Sequence, residues 1–106
     1  MSMTSSVVTY EVTLEVDPGM LEDVERELRE HHVPAILAIG CFRAVRLDRS
    51  GDGRLRTTYE AATEGDLQRY LAEHTGRLRA EFTSRFPAGV RVARETWHRV
   101  ASWPPP

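Results

Sequence analysis

From Val7 to Val16 apolar and polar residues alternate. Val8, Tyr10, Val12, Leu14 and Val16 share one face, and Thr9, Glu11, Thr13 and Glu15 share the other. A period of two predicts a strand covered on one side. Asp17-Pro18 then signals a helix start, because Asp17 can cap and Pro18 suits the first helical position. Glu22, Asp23 and Glu25 follow where the helix dipole favours acids. Met20, Val24, Leu28 and His31 or His32 recur at helical spacing, and Pro34 is expected to end that helix near His32. The apolar run from Ala35 to Ile39 leads to Gly40, read as a short helical turn or a tight loop.

Two further alternating stretches, Cys41–Arg49 and Arg54–Ala62, flank Ser-Gly-Asp-Gly at 50–53 and predict a hairpin. Cys41, Arg43, Val45 and Leu47 share one face of the first. Leu55, Thr57, Tyr59 and Ala61 share one face of the second. Thr63 is placed to cap the next helix, with Asp66 as its partner. Leu67, Tyr70, Leu71, His74, Leu78, Phe82 and Phe86 mark that helix's buried stripe, and Gly76 predicts a kink or a break. Pro87-Ala88-Gly89 ends it. The last strand, Val90–Val100, has an ambiguous phase. Val90, Val92 and Val100 share one parity, Ala93 and Trp97 the other, and a bulge would reconcile them.

The order β-α-β-β-α-β predicts a ferredoxin-like α+β fold: a four-stranded antiparallel sheet with two helices on one face. Residues 7–101 form the expected single domain, after a disordered N-terminus (1–6) and before a Pro-rich tail (102–106). The uncovered sheet face carries Thr9, Glu11, Thr13, Arg56, Thr58 and Glu60, which suits water or a polar dimer interface.

Composition narrows the function classes. The chain has 106 residues, a net charge of −2, 41% apolar and 28% charged residues. That is ordinary for a globular domain and gives no basic balance for nucleic acid. No apolar run reaches the ~20 residues of a membrane span, and no signal peptide opens the chain, so a cytoplasmic setting is expected. Cys41 is the single cysteine, read as a small buried hydrophobe. Every basic residue is arginine, and lysine is absent, which excludes Schiff-base and P-loop lysine mechanisms. Acids outnumber arginines in residues 1–53, and the reverse holds in 54–106.

Residues 30–49 (EHHVPAILAIGCFRAVRLDR), 57–61 (TTYEA) and 66–86 (DLQRYLAEHTGRLRAEFTSRF) resemble a bacterial family known as a domain of unknown function, placed among the dimeric α+β barrels. Thr75-Gly76 departs from that family's pattern, where a small residue followed by proline is expected. The resemblance implies a homodimer built through its sheets. The wider superfamily includes cofactor-independent monooxygenases of antibiotic biosynthesis, muconolactone isomerases and small polyketide cyclases. Many of them work between sheet and helices, an implication by analogy of fold.

A polar side chain on the helix-facing side of the sheet needs a partner, a water or a ligand. Alternation puts Tyr10, Arg43 and Tyr59 there. Arg94 and His98 join them if the last strand keeps the parity of Val92; otherwise Trp97 does. His32 and His74 approach from the helices, and His31 is read as the exposed neighbour of His32. Histidine can exchange a proton near neutral pH, and tyrosine or arginine can stabilise an enolate or phenolate oxygen. His74, His32 and Tyr59 are therefore the catalytic candidates. Tyr10, Arg43, Arg94, His98 and Trp97 are the substrate-binding candidates. The chemistry suggested is cofactor-independent cyclisation, isomerisation or oxygenation of a small organic molecule, with no metal and no cofactor. The alternative is a non-catalytic ligand-binding or assembly module. Each residue also has a packing reading: core tyrosines, a helix-capping His32, and Arg43 or Arg94 in ion pairs with Glu60 or Glu95.

Overall fold

The computed structural model describes residues 7–105. The expectations for residues 1–6 and for Pro106 lie outside them. Four antiparallel strands, β1 (Val8–Val16), β2 (Ala44–Arg49), β3 (Arg54–Ala61) and β4 (Val90–His98), form one sheet in the order β2-β3-β1-β4. Helices α1 (Leu21–Glu27), α2 (Val33–Ile39), α3 (Glu64–Glu73) and α4 (Thr75–Arg85) complete the ferredoxin-like α+β fold. The alternation in β1 and β3 sets what is covered. Val8, Tyr10, Leu14, Leu55, Thr57, Tyr59 and Ala61 are buried.

The helical region from 21 to 39 runs past Pro34 instead of ending at His32. A π-helical turn, Leu28–His32, joins α1 to α2, and the Val33 N–H reaches back five residues to the Leu28 carbonyl. Pro34 has no N–H to give, and in a straight α-helix its ring would meet the carbonyl four residues back. The wider turn directly before it relieves that conflict, and π turns of this kind recur at functional sites. Gly40, at φ 90°, ends α2 in the left-handed conformation.

Strand β2 begins at Ala44, later than expected. The chain turns inward after Gly40, so Cys41 and Phe42 pack into the core instead of extending the strand. In β4 no bulge occurs. One uninterrupted register runs from Val16↔Val90 to Val8↔His98. Val90, Val92, Arg94, Thr96 and His98 therefore share the helix-side face of β4, and Trp97 lies on the open face. Strand β4 is an edge strand, and most of it is exposed. The long helical stripe does break, at His74 rather than at Gly76. Thr63 caps α3 as expected, its hydroxyl accepting from the Asp66 N–H at 3.1 Å.

The core forms two clusters. One gathers Val8, Tyr10, Ile36, Phe42, Tyr59, Leu67, Tyr70 and Leu78. The other gathers Leu14, Val16, Val24, Leu28 and Leu55, and Val12 packs against both. A cleft lies between them, lined by residues of both. At the far end, Gly89 at φ 87° accepts from the Asp17 N–H at 2.9 Å. A Cβ there would overlap the Met20 sulfur and crowd the Asp17 carboxylate. Gly89→Ala is expected to cost about 1–2 kcal/mol of stability in urea denaturation, from left-handed strain.

Candidate functional site

The cleft is lined from the sheet, from the π turn with Ile36 of α2, and from α3 and α4. From the sheet come Tyr10, Val12, Thr57, Tyr59, Val92 and Arg94. The π turn gives Leu28 and His32. From α3 and α4 come Tyr70, Thr75, Leu78, Arg79, Phe82 and Thr83. The cleft holds about 70 Å³ and is open on one side. That is smaller than the roughly 300 Å³ or more of a drug-sized site. It takes part of a small ligand, with the rest in the mouth. Arg79, Thr83, Val92 and Arg94 are exposed and form that mouth.

Aromatic groups build the inner wall. Tyr10 lies with its ring centroid 6.0 Å from that of Tyr59 and 6.3 Å from that of Tyr70. Phe42 packs behind both Tyr59 and Tyr70 at 5.1 and 4.9 Å. Burial raises the Tyr59 phenol well above its ordinary value, so Tyr59 stays protonated. It also raises Tyr70, opposed by a hydrogen bond with Thr75 and by the charges of Arg79 and Arg94. Arg79 donates to the Tyr10 hydroxyl oxygen at 3.0 Å. That bond leaves the Tyr10 proton for another acceptor.

His32 ends the π turn, its ring 5.2 Å from Phe82. Burial lowers its pKa from the ordinary 6.5, more than Glu27 and Glu81 raise it. The imidazole is thus neutral at pH 7 and able to accept a proton. The lowered value has a consequence for stability. As pH falls through 6.5 the unfolded chain takes up a proton that folded His32 resists. The His32 contribution is therefore present above pH 6.5 and lost as pH falls below it toward the folded value. Urea midpoints at pH 7.5 and 5 are expected to differ less in His32→Gln than in the wild type.

The structure brings together His32, Tyr59, Tyr10 and Arg94 of the residues singled out from the sequence. It leaves four elsewhere. His74 sits at the break between α3 and α4, stacked on Tyr70 at 6.4 Å, and does not line the cleft. Arg43 lies just before β2 and bonds Glu60 at 2.9 Å on the open sheet face. The parity argument fails for it because the strand starts one residue later. His98 does face the helix side, but beyond the cleft, where it bonds Glu64 at the start of α3 at 2.8 Å. Trp97 is 53% exposed on the open face. Sequence reasoning missed Tyr70, Thr57 and Arg79. Tyr70 carried a signal, as a polar-tipped side chain on an apolar stripe. Arg79 carried none, because its partner Tyr10 is 69 residues away.

Cys41 is 2% exposed, with the Arg69 guanidinium 3.4 Å from its sulfur. Among the described residues, no three His, Cys, Asp or Glu side chains are placed to hold a metal ion. No helix there is long and apolar enough to cross a membrane.

Residues 7–100 match the family described as Domain of unknown function (DUF4286). No curated protein matches the chain significantly. Among solved structures, protein SO0527 from Shewanella oneidensis superposes with a TM-score of 0.73 at 16% identity, over 92% of this chain and 95% of that one. PA3566 from Pseudomonas aeruginosa gives 0.71 at 21% identity, over 92% and 98%. A variant of SnoaB, a cofactor-independent oxygenase from Streptomyces nogalater, gives 0.69 at 14% identity, over 94% and 99%. These likenesses establish a shared fold.

Proposed function

The chain belongs to the DUF4286 family, and we propose that it binds a small organic molecule between its sheet and helices and moves a proton on it without a cofactor. The observation that carries this reading is His32, an imidazole held neutral by burial in the same cleft as tyrosine and arginine donors. Neutral His32 takes a proton from an acidic C–H or O–H of the ligand. The charge left on the ligand oxygen is received by Arg79 or by the Tyr10 hydroxyl. Deprotonation of this kind begins an isomerisation or an aldol-type cyclisation. It also begins a cofactor-free oxygenation in which dioxygen is the co-reactant. SnoaB, a cofactor-independent oxygenase on the same fold, supports this class of chemistry.

The reading includes a homodimer packed through the open sheet faces. There Thr9, Glu11, Thr13 and Thr58 are half-buried, and Trp97 is exposed. Light scattering during gel filtration is expected to give twice the 12.0 kDa chain mass. A monomer would remove this part of the reading.

Deuterium uptake at the benzylic carbon of phenylpyruvate, followed by proton NMR, tests the chemistry. The protein is expected to accelerate it above buffer. Phenylpyruvate that binds in the cleft without faster exchange would favour the non-catalytic binding module instead.

A further inference from the structure

All but three of the arginines, Arg46, Arg79 and Arg94, have a carboxylate within 4.0 Å among the described residues. Arg46 stands on the exposed side of β2. The other two flank the mouth of the cleft, one from α4 and one from β4. This acidic chain thus pairs its guanidinium groups almost everywhere and leaves two unpaired at one opening. No Asp or Glu lines that cleft. Arg79 is held by the Tyr10 hydroxyl, and Arg94 has no side-chain partner among the described residues. The charges of both lower the pKa of the same phenol, Tyr70, against its burial.

We infer that the cleft selects a small planar organic anion, an aromatic carboxylate by class, with its acid group between Arg79 and Arg94 and its ring against Tyr10, Tyr70 and Phe82. A guanidinium fork matches a planar carboxylate better than any neutral oxygen. Tyrosine and phenylalanine rings favour an aromatic body through edge and offset contacts. The cleft volume of about 70 Å³ is under half the ~150 Å³ that takes a benzene ring, so a single ring would fill it and extend into the mouth. An acid group at the mouth leaves the rest of the ligand to reach inward, where His32 lies. The inference rests on the proposed ligand cleft but not on its proton chemistry.

Benzoate and neutral benzamide serve as the matched probes, titrated into the intact protein and followed by nitrogen–proton NMR, including the arginine Nε–H signals. Benzoate is expected to bind about tenfold or more tightly than benzamide, the scale of one charge-assisted hydrogen bond. Arg94→Gln is expected to remove most of that preference. It breaks no side-chain bond of the fold, so a loss would not report unfolding. Arg79→Gln should lower the preference too, while also removing the bond to the Tyr10 hydroxyl, and Arg46→Gln should change nothing. Equal affinity for the two probes, no binding of either, or a preference that survives both cleft variants would overturn the inference. A benzoate preference without faster phenylpyruvate exchange would uphold it while removing the proton chemistry.

Discussion

Replacing His32 with glutamine is expected to slow protein-catalysed proton exchange at phenylpyruvate by about 100-fold or more, the usual scale for removing a positioned base. Glutamine keeps a polar side chain of similar reach but cannot accept the proton. The change should appear in the exchange rate at saturating ligand, with binding little altered, because Arg79 and Arg94 hold the acid group. His74→Ala offers the contrast. His74 stacks on Tyr70 and does not line the cleft, so its loss is expected to leave exchange within about threefold of wild type. A His32→Gln protein that exchanges as fast as wild type would remove His32 from the chemistry.

The second large effect is on stability. Leu67 is fully buried on α3, in the cluster with Val8, Phe42, Tyr59 and Ala61. Leu67→Ala removes three buried carbons and leaves a cavity, which is expected to cost about 2–5 kcal/mol. For a domain of this length that corresponds to a drop in Tm of roughly 10 °C or more. Leu67 does not line the cleft, so the folded fraction should still prefer benzoate over benzamide. Thermal unfolding by circular dichroism, with the probe titration repeated below the transition, checks both halves. A Tm within 2–3 °C of wild type, a shift worth less than about 1 kcal/mol, would mean that this side of the core is looser than its burial implies.

Much of the fold was legible because one physical rule governs the middle of the sheet. In β1 and β3 every second residue is apolar or a tyrosine, Thr57 excepted, and those are the residues the helices cover. The Thr63 cap and the Gly51-Gly53 hairpin are short-range signals, complete within a few residues. The π turn at Leu28–His32 was not legible. Its extra residue leaves no mark in an i, i+3, i+4 pattern, and Pro34 argued for a stop. The parity of β4 was ambiguous because an exposed edge strand has no need to alternate. Only its pairing with β1 fixes Arg94 and His98 on the helix side.

The site followed the same division. Tyr10 and Tyr59 were readable from strand alternation, and His32 from its place in the helical stripe. Arg43 was misplaced because it precedes β2, where the pleat no longer sets a side chain's direction. Arg79 looks like Arg77 in sequence, an exposed helical arginine. What separates them is spatial: Arg77 pairs with Glu81 on its own helix, while Arg79 reaches the Tyr10 hydroxyl. Distant pairings of that kind are set by the fold as a whole.

The most direct test of the central claim, that the cleft between sheet and helices is the ligand site, is a nitrogen–proton NMR titration with phenylpyruvate. Saturable shifts are expected at the Arg79 and Arg94 Nε–H signals and at the His32 and Thr57 backbone amides. Amides around Glu60, Arg43 and Trp97 on the open face should stay still. Shifts confined to that open face, or none at saturating ligand, would contradict it.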